Sequence, residues 1–240
     1  MKKSLLAVSV SLSLLVMAGG VNAASVKAGQ EKSAPCAGCH GDKGNSLVSM
    51  YPKLASQNEE YLMQQLHAFK EGKRNGPMMS AMVAGLSDED IEDLAVFYEA
   101  QKVSDNVLPP LDIDEVEEDD SQTLSDEQRA ELEEKAVADK QAAQEQQDAM
   151  IAMGYDIYRN GDLENEISAC IACHGPKGEG NKPALFPALN GQHADYLIKT
   201  LHDFKQDKRS NIEGNMMHMI ARRMSEAEIK ATAYYISILK

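Results

Sequence analysis

From Asn58 to Glu71 the apolar residues Tyr61, Leu62, Leu66 and Phe69 fall on one stripe, the signature of an amphipathic helix. A second helix is expected after Ser87-Asp88-Glu89-Asp90, a capping-box-like start, and it carries Ile91, Leu94, Ala95 and Tyr98. Ser225 with Glu228 repeats that start before Ile229, Ala233, Ile236 and Leu239. Short helices are also expected around Ala24–Lys32 and Met150–Asn160. Between these stretches the chain is broken by Gly and Pro. No segment alternates with period two, so few or no strands are expected.

The pattern occurs twice. Cys36-Ala37-Gly38-Cys39-His40-Gly41 matches Cys170-Ile171-Ala172-Cys173-His174-Gly175 at an offset of 134. Pro52, Leu54, Gln57, Tyr61, Leu62, Leu66, Phe69 and Arg74 match Pro187, Leu189, Gln192, Tyr196, Leu197, Leu201, Phe204 and Arg209 at 135. Met78-Met79 and Leu86-Ser87 match Met216-Met217 and Met224-Ser225 at 138. One single-residue and one three-residue insertion explain the drift, and the chain is a duplication of one domain.

Two segments fall outside the duplication. Residues 1–23 combine Lys2 and Lys3, an apolar run from Leu5 to Met17, and the small-residue site Val21-Asn22-Ala23. This reads as a cleaved secretory signal, because the run is shorter than the roughly 20 residues a membrane span needs. A soluble, periplasmic mature chain is expected, without stable membrane insertion. The middle is acidic. Residues 101–150 hold 16 Asp or Glu against 4 Lys or Arg, which is −12 of the formal −14. That charge argues against a nucleic-acid partner. Leu108 to Asp120 reads as an exposed linker, and Ser125 to Met150 as a solvated helix opened by Ser125 and Gln128. A spacer is the plain role for this segment, and a docking surface for a basic partner the sharper one.

Four cysteines in an exported chain first suggest disulfides, but their spacing points elsewhere. C-x-x-C-H is the haem c attachment motif: two thiols form thioethers on one porphyrin edge, and the adjacent His reaches the iron. Zinc binding and a thioredoxin-like pair compete for a single C-x-x-C. Two copies at equivalent places behind an export signal favour two covalent haem c groups, on Cys36 with Cys39 and on Cys170 with Cys173. His40 and His174 are then the proximal ligands.

Candidates for the distal ligand are drawn from 13 methionines. Met79 and Met217 each stand seven residues before the entry to the last helix, and thioether is a soft ligand that favours ferrous iron. Met78, Met82, Met216 and Met219 are the alternatives if the register slips, and His218 competes in the second half. His67 and His202 suit a surface or haem-edge place. His193, with Asn58 as its counterpart, suits local hydrogen bonding. A ligating His normally donates its other ring N–H, and Pro52 and Pro187 are placed to offer the carbonyl. Arg74 and Arg209 suit haem propionates, or simply solvent.

These motifs together resemble the dihaem cytochrome c4 family. The shared pieces are C-x-x-C-H-G, P-x-L-x-x-Q, Y-L-x-x-x-L-x-x-F-K with its following Arg, the Met loop, and L-S-D-E-D-I-E-D-L-A, then FPALNGQHADYL and M-S-E-A-E-I. The resemblance covers about residues 25–102 and 150–240 and implies an all-α chain of two tandem class I cytochrome c domains. These are expected at 24–104 and 150–240, joined by a long acidic, partly helical linker at 105–149. It further implies His/Met ligation at both irons, with Met79 and Met217 distal and Pro52 and Pro187 supporting the histidines. The family's connection between domains is short. About 50 residues intervene here, which does not require the close haem-to-haem arrangement that a short connection holds.

The expected function is a monomeric periplasmic electron carrier between respiratory-chain donors and a terminal oxidase or reductase, serving redox-protein partners. No acid–base pair or spare nucleophile stands near either motif, so no enzymatic activity is expected. The alternatives are an electron-accepting subunit of a larger redox enzyme and a peroxidase-like dihaem enzyme, the latter needing an open iron.

Overall fold

The computed structural model describes residues 24–108, 125–211 and 213–240. The expected signal segment and the Pro-broken part of the linker lie outside the described residues. Among the described residues there is no strand, only two isolated bridges, Asp162 with Ile167 and Asn181 with Phe186.

The first domain holds α1 (Val26–Lys32), α2 (Ala34–His40), α3 (Glu59–Lys70), α4 (Pro77–Val83) and α5 (Asp88–Glu99). The second holds the end of α6 (Asp126–Asn160), α7 (Ile171–His174), α8 (Ala194–Lys205), α9 (Met216–Ala221) and α10 (Glu226–Ile238). In each, the last helix crosses the first: α5 packs on α1, and α10 on α6. Ser87, Ser125 and Ser225 each close a capping box with the residue three further on. Each hydroxyl satisfies an orphan N–H, so these starts are fixed locally.

The crossings are built on glycine. Gly29 of α1 lies against α5 so closely that a β-carbon would stand 2.0 Å from the Asp93 carbonyl oxygen and 2.6 Å from Phe97 Cβ. Gly154 of α6 repeats this against Ala231 and Tyr235 of α10, at 2.1 and 2.7 Å. Around the crossings sit Leu62, Leu94, Ala95, Phe97 and Tyr98 in the first domain. In the second, the cluster is Tyr158, Leu197, Ala233, Tyr235 and Ile236.

The halves differ where the crossing meets solvent. Lys32 bonds both Asp90 and Asp93 at 2.7 Å, and Ser25 N–H donates to Asp93 at 2.7 Å. The counterparts of Lys32 and Asp93 are Ile157 and Ala231, both buried and apolar. An ion lock in one half is an apolar contact in the other.

Two expectations change. The solvated helix from Ser125 and the short helix at Met150–Asn160 are one 35-residue helix, about 52 Å long at 1.5 Å per residue. Nothing between Asp126 and Met153 is Gly or Pro, so no breaker stops it. The boundary expected at residue 150 falls inside it. The long linker also leaves the domains in direct contact, because side chains on both sides bond across the seam.

Candidate functional site

The site starts on α2. Pro35 opens this helix, and Cys36, Cys39 and His40 follow at spacings that share one helical face. Cys170, Cys173 and His174 repeat the arrangement at α7. All four thiols are unpaired and half-buried. After each motif the chain turns at a glycine with positive φ, Gly41 at 77° and Gly175 at 80°.

The following loop folds back under the imidazole. Gly44 O accepts from Leu54 N at 2.7 Å and Ala55 N at 3.1 Å, and Gly178 O accepts from Leu189 N at 2.7 Å and Asn190 N at 3.2 Å. This closure puts His40 Nδ1 2.8 Å from Pro52 O and His174 Nδ1 2.9 Å from Pro187 O. A carbonyl only accepts, so each Nδ1 carries the proton and donates. Among the described residues neither Nε2 has a hydrogen-bond partner, although each histidine is only 7 % exposed. Burial holds both imidazoles below the ordinary histidine range, opposed by the proline carbonyl bond. A neutral, oriented imidazole with a free Nε2 is the form that binds a metal.

The methionine loops lie on α4 and α9, which pack on α3 and α8. In α4, Met79 is half-buried while Met78 and Met82 are 60 % and 45 % exposed. In α9, Met217 is half-buried while Met216 and Met219 are 44 % and 49 % exposed. Cover thus singles out the same methionine in both halves. The three extra residues of the second loop are the 3-10 turn Glu213–Asn215, where Gly214 and Asn215 take positive φ. His218 Nδ1 is 2.8 Å from Phe204 O, which ties this loop to α8. His202 Nε2 lies 3.1 Å from Glu226 on the surface.

Arg74 and Arg209 converge at the seam between the domains. Arg74 stacks over Phe69 at 4.5 Å and Arg209 over Phe204 at 4.7 Å. Arg209 donates to Tyr61 Oη at 2.7 Å and Gln65 Oε1 at 3.1 Å. Arg74 donates to Gln65 Oε1 at 2.8 Å and Tyr196 Oη at 3.2 Å. Arg209 is buried rather than solvated, and among the described residues neither guanidinium has a carboxylate partner. Burial pushes the Tyr196 phenol up, but Arg74 and Arg209 outweigh it and bring it down to about 8. Two covered cations without an anion make a place for carboxylates. The arginines, the paired thiols and the free Nε2 atoms therefore fit a haem c in each domain.

The seam has near two-fold symmetry. Gln57 bonds both the N–H and the C=O of Ala188 at 2.8 Å. Gln192 bonds the N–H of Lys53 at 2.8 Å and its C=O at 2.9 Å. Asn58 donates to Phe186 O at 2.9 Å, and His193 Nε2 donates to Ser46 O at 2.9 Å. His193 is therefore an interdomain donor and not the local one expected. Asn106 reaches Gly191, Gln192 and Ser237, holding the end of the first domain against the second.

The sequence reading missed this seam and the two crossing glycines. Gly29 precedes its first cysteine by seven residues and Gly154 by sixteen. The nine extra residues make the loop closed by the Asp162–Ile167 bridge, and this loop hides the match.

The family model for cytochrome c matches residues 26–102 and 151–240. Cytochrome c4 of Pseudomonas aeruginosa is 33% identical over 237 residues, 98% of this chain and 98% of its own. A thiosulfate dehydrogenase electron acceptor of Stutzerimonas stutzeri is 31% identical over 220 residues, 91% of this chain and 82% of its own. The crystal structure of reduced recombinant cytochrome c4 from Pseudomonas stutzeri aligns with a TM-score of 0.72 at 33% identity, covering 91% of this chain and 100% of that one. With this fold, duplication and likeness over nearly its whole length, the chain belongs to the dihaem cytochrome c4 family, electron-transfer proteins of two tandem cytochrome c domains with a covalent haem c in each.

Proposed function

We propose that the chain is an exported, periplasmic electron carrier, its signal at residues 1–23 and its domains at 24–104 and 150–240. One haem hangs on Cys36 and Cys39 between His40 and Met79, the other on Cys170 and Cys173 between His174 and Met217. When bound, haem iron supplies reversible one-electron exchange. The protein holds each imidazole neutral and aimed, half-covers one methionine in each loop that would serve as the second iron ligand, and offers Arg74 and Arg209 to the propionates.

One observation carries this reading: each motif's imidazole is buried and oriented by a proline carbonyl, with Nε2 free, in two domains docked face to face. Docking suits electron exchange within one molecule, and filled iron coordination suits a carrier. Respiratory-chain donors and a terminal oxidase or reductase are the partners we assign.

The test is the absorption spectrum of the matured protein, oxidised and reduced, with and without carbon monoxide. Two low-spin haems with a methionine–iron charge-transfer band and no response to carbon monoxide are expected. A high-spin haem that takes up carbon monoxide would overturn the symmetric ligation and favour a peroxidase-like enzyme. N-terminal sequencing of the periplasmic fraction tests export: a mature chain beginning at Ala24 is expected.

A second reading, an electron-accepting partner of a thiosulfate dehydrogenase, rests on the likeness to the Stutzerimonas acceptor along 91% of this chain. Rapid reduction by such a dehydrogenase with thiosulfate would favour it.

A further inference from the structure

The interdomain glutamines bond to two particular peptide groups. The group joining Pro52 to Lys53 offers its carbonyl to His40 Nδ1–H at 2.8 Å. Its N–H, on Lys53, donates to Gln192 Oε1 of the second domain at 2.8 Å, in a buried bond. The group joining Pro187 to Ala188 does the reverse. Its carbonyl accepts from His174 Nδ1–H at 2.9 Å, and its N–H donates to Gln57 Oε1 of the first domain at 2.8 Å.

The orientation of both amides follows from their partners. Each Oε1 also faces the N–H of the next residue, His193 or Asn58, at 3.0 Å, and each Nε2 faces a carbonyl. Turning either amide over would set donors against donors.

We infer that each domain tunes the haem of the other through this pair of peptides: Gln192 acts on the first-domain iron and Gln57 on the second. The inference rests on the reading that His40 and His174 ligate iron. A peptide whose N–H is bonded becomes a stronger acceptor at its own oxygen. The stronger acceptor draws the Nδ1 proton and makes the imidazole a more basic ligand. A more basic ligand favours ferric iron, so each intact bond lowers the midpoint potential of the haem across the seam. Gln57 and Gln192 are positioning residues in this scheme, since neither touches a haem ligand itself.

The crossing of the effect is what tests it. Full-length haem-loaded Gln192→Leu, Gln57→Leu and Ser49→Ala are titrated, and each haem's midpoint is assigned by its hyperfine-shifted proton resonances. Ser49→Ala removes a different interdomain bond, that to Asp195, and touches neither relay peptide.

Gln192→Leu should raise the first-domain potential and leave the second in place. Gln57→Leu should do the opposite, and Ser49→Ala should move neither. In the glutamine variants the affected His Nδ1–H resonance should also move upfield. Should Gln192→Leu part the domains, Gln192→Glu keeps an acceptor at Lys53 N–H while losing the donor to Lys53 O, and should lower the first-domain potential by more than its charge alone lowers the second.

Shifts confined to the haem of the substituted domain, equal shifts of both haems, or no shift would each overturn the relay while leaving the ligation reading intact. A parent spectrum without histidine-ligated low-spin iron would overturn the ligation reading and the relay with it.

Discussion

Gly29 meets the carbonyl of Asp93 where the first and last helices of the first domain cross, and no side chain fits between them. Gly154 stands in the same relation to Ala231. The helices touch backbone to backbone, and a methyl at either site meets atoms that cannot rotate aside. Gly29→Ala should cost at least about 3 kcal/mol in the first domain, and Gly154→Ala as much in the second, at the upper end of overpacking penalties. Denaturant unfolding followed at each haem should show only the substituted domain weakened.

The ion lock makes the domains respond differently to acid. Asp93, 3 % exposed, is held below the usual carboxylate range by the bond from Lys32 and then by Ser25 N–H. Its folded value is depressed, so its contribution is complete above the ordinary value of about 3.9 and is lost as pH falls through the depressed one. Ile157 and Ala231 carry no such group. Acid should therefore weaken the first domain selectively below about pH 4, and Asp93→Asn should reduce that selectivity, leaving only the part that Asp90 on Lys32 supplies. Circular dichroism with haem absorbance, read from pH 5 downward, checks both.

Arg209 offers a test of charge at the seam. Its guanidinium is buried with Tyr61 and Gln65 and no carboxylate among the described residues. A nearby cation favours the less positive, reduced haem, so Arg209→Met should lower the potential. One covered unit charge at an effective protein dielectric is worth on the order of 1–2 kcal/mol. Voltammetry should show the fall, and a rise would mean that the arginine does not face the haem.

The duplication, the two C-x-x-C-H sites and the three capping boxes were legible because each is local and recurs in the same order. Pro52 and Pro187 were legible for the same reason, since a carbonyl twelve or thirteen residues beyond each His needs only one loop. The crossing glycines were not, because a nine-residue loop at 161–169 shifts one half against the other. The continuous α6 was not, because its exposed and buried parts differ in composition although nothing breaks the helix between them. Docking was obscured by the linker. Length suggests freedom, while Gln57 and Gln192 bond backbone groups, which leave no complementary side chain to recognise.

Met79 and Met217 can be separated from their neighbours by removal. Met79→Ala should open one iron, abolish half of the methionine–iron charge-transfer absorbance, lower that haem's potential and admit one carbon monoxide per chain. Met78→Ala and Met82→Ala, at exposed positions, should leave both spectra and stability within about 0.5 kcal/mol of the parent. If Met82→Ala opened the iron instead, the register of the loop would be displaced by three residues.

The exposed part of α6 makes the last prediction. From Asp126 to Ala149 nearly every side chain faces solvent, and packing begins only with Met150, Gly154, Ile157 and Tyr158. The domains are meanwhile held by Gln57, Asn58, Gln192, His193 and Asn106, none of which lies in that stretch. Docking should therefore survive without the arm. Deleting residues 111–145 should leave both midpoint potentials and the interhaem electron-transfer rate unchanged, as flash photolysis of the half-reduced protein would read. The deletion removes a large share of the chain's negative charge. A change confined to the salt dependence of reduction by a basic partner would assign the arm to encounter, through long-range attraction. A slower interhaem step would instead mean that the arm holds the seam closed, against the bonding seen there.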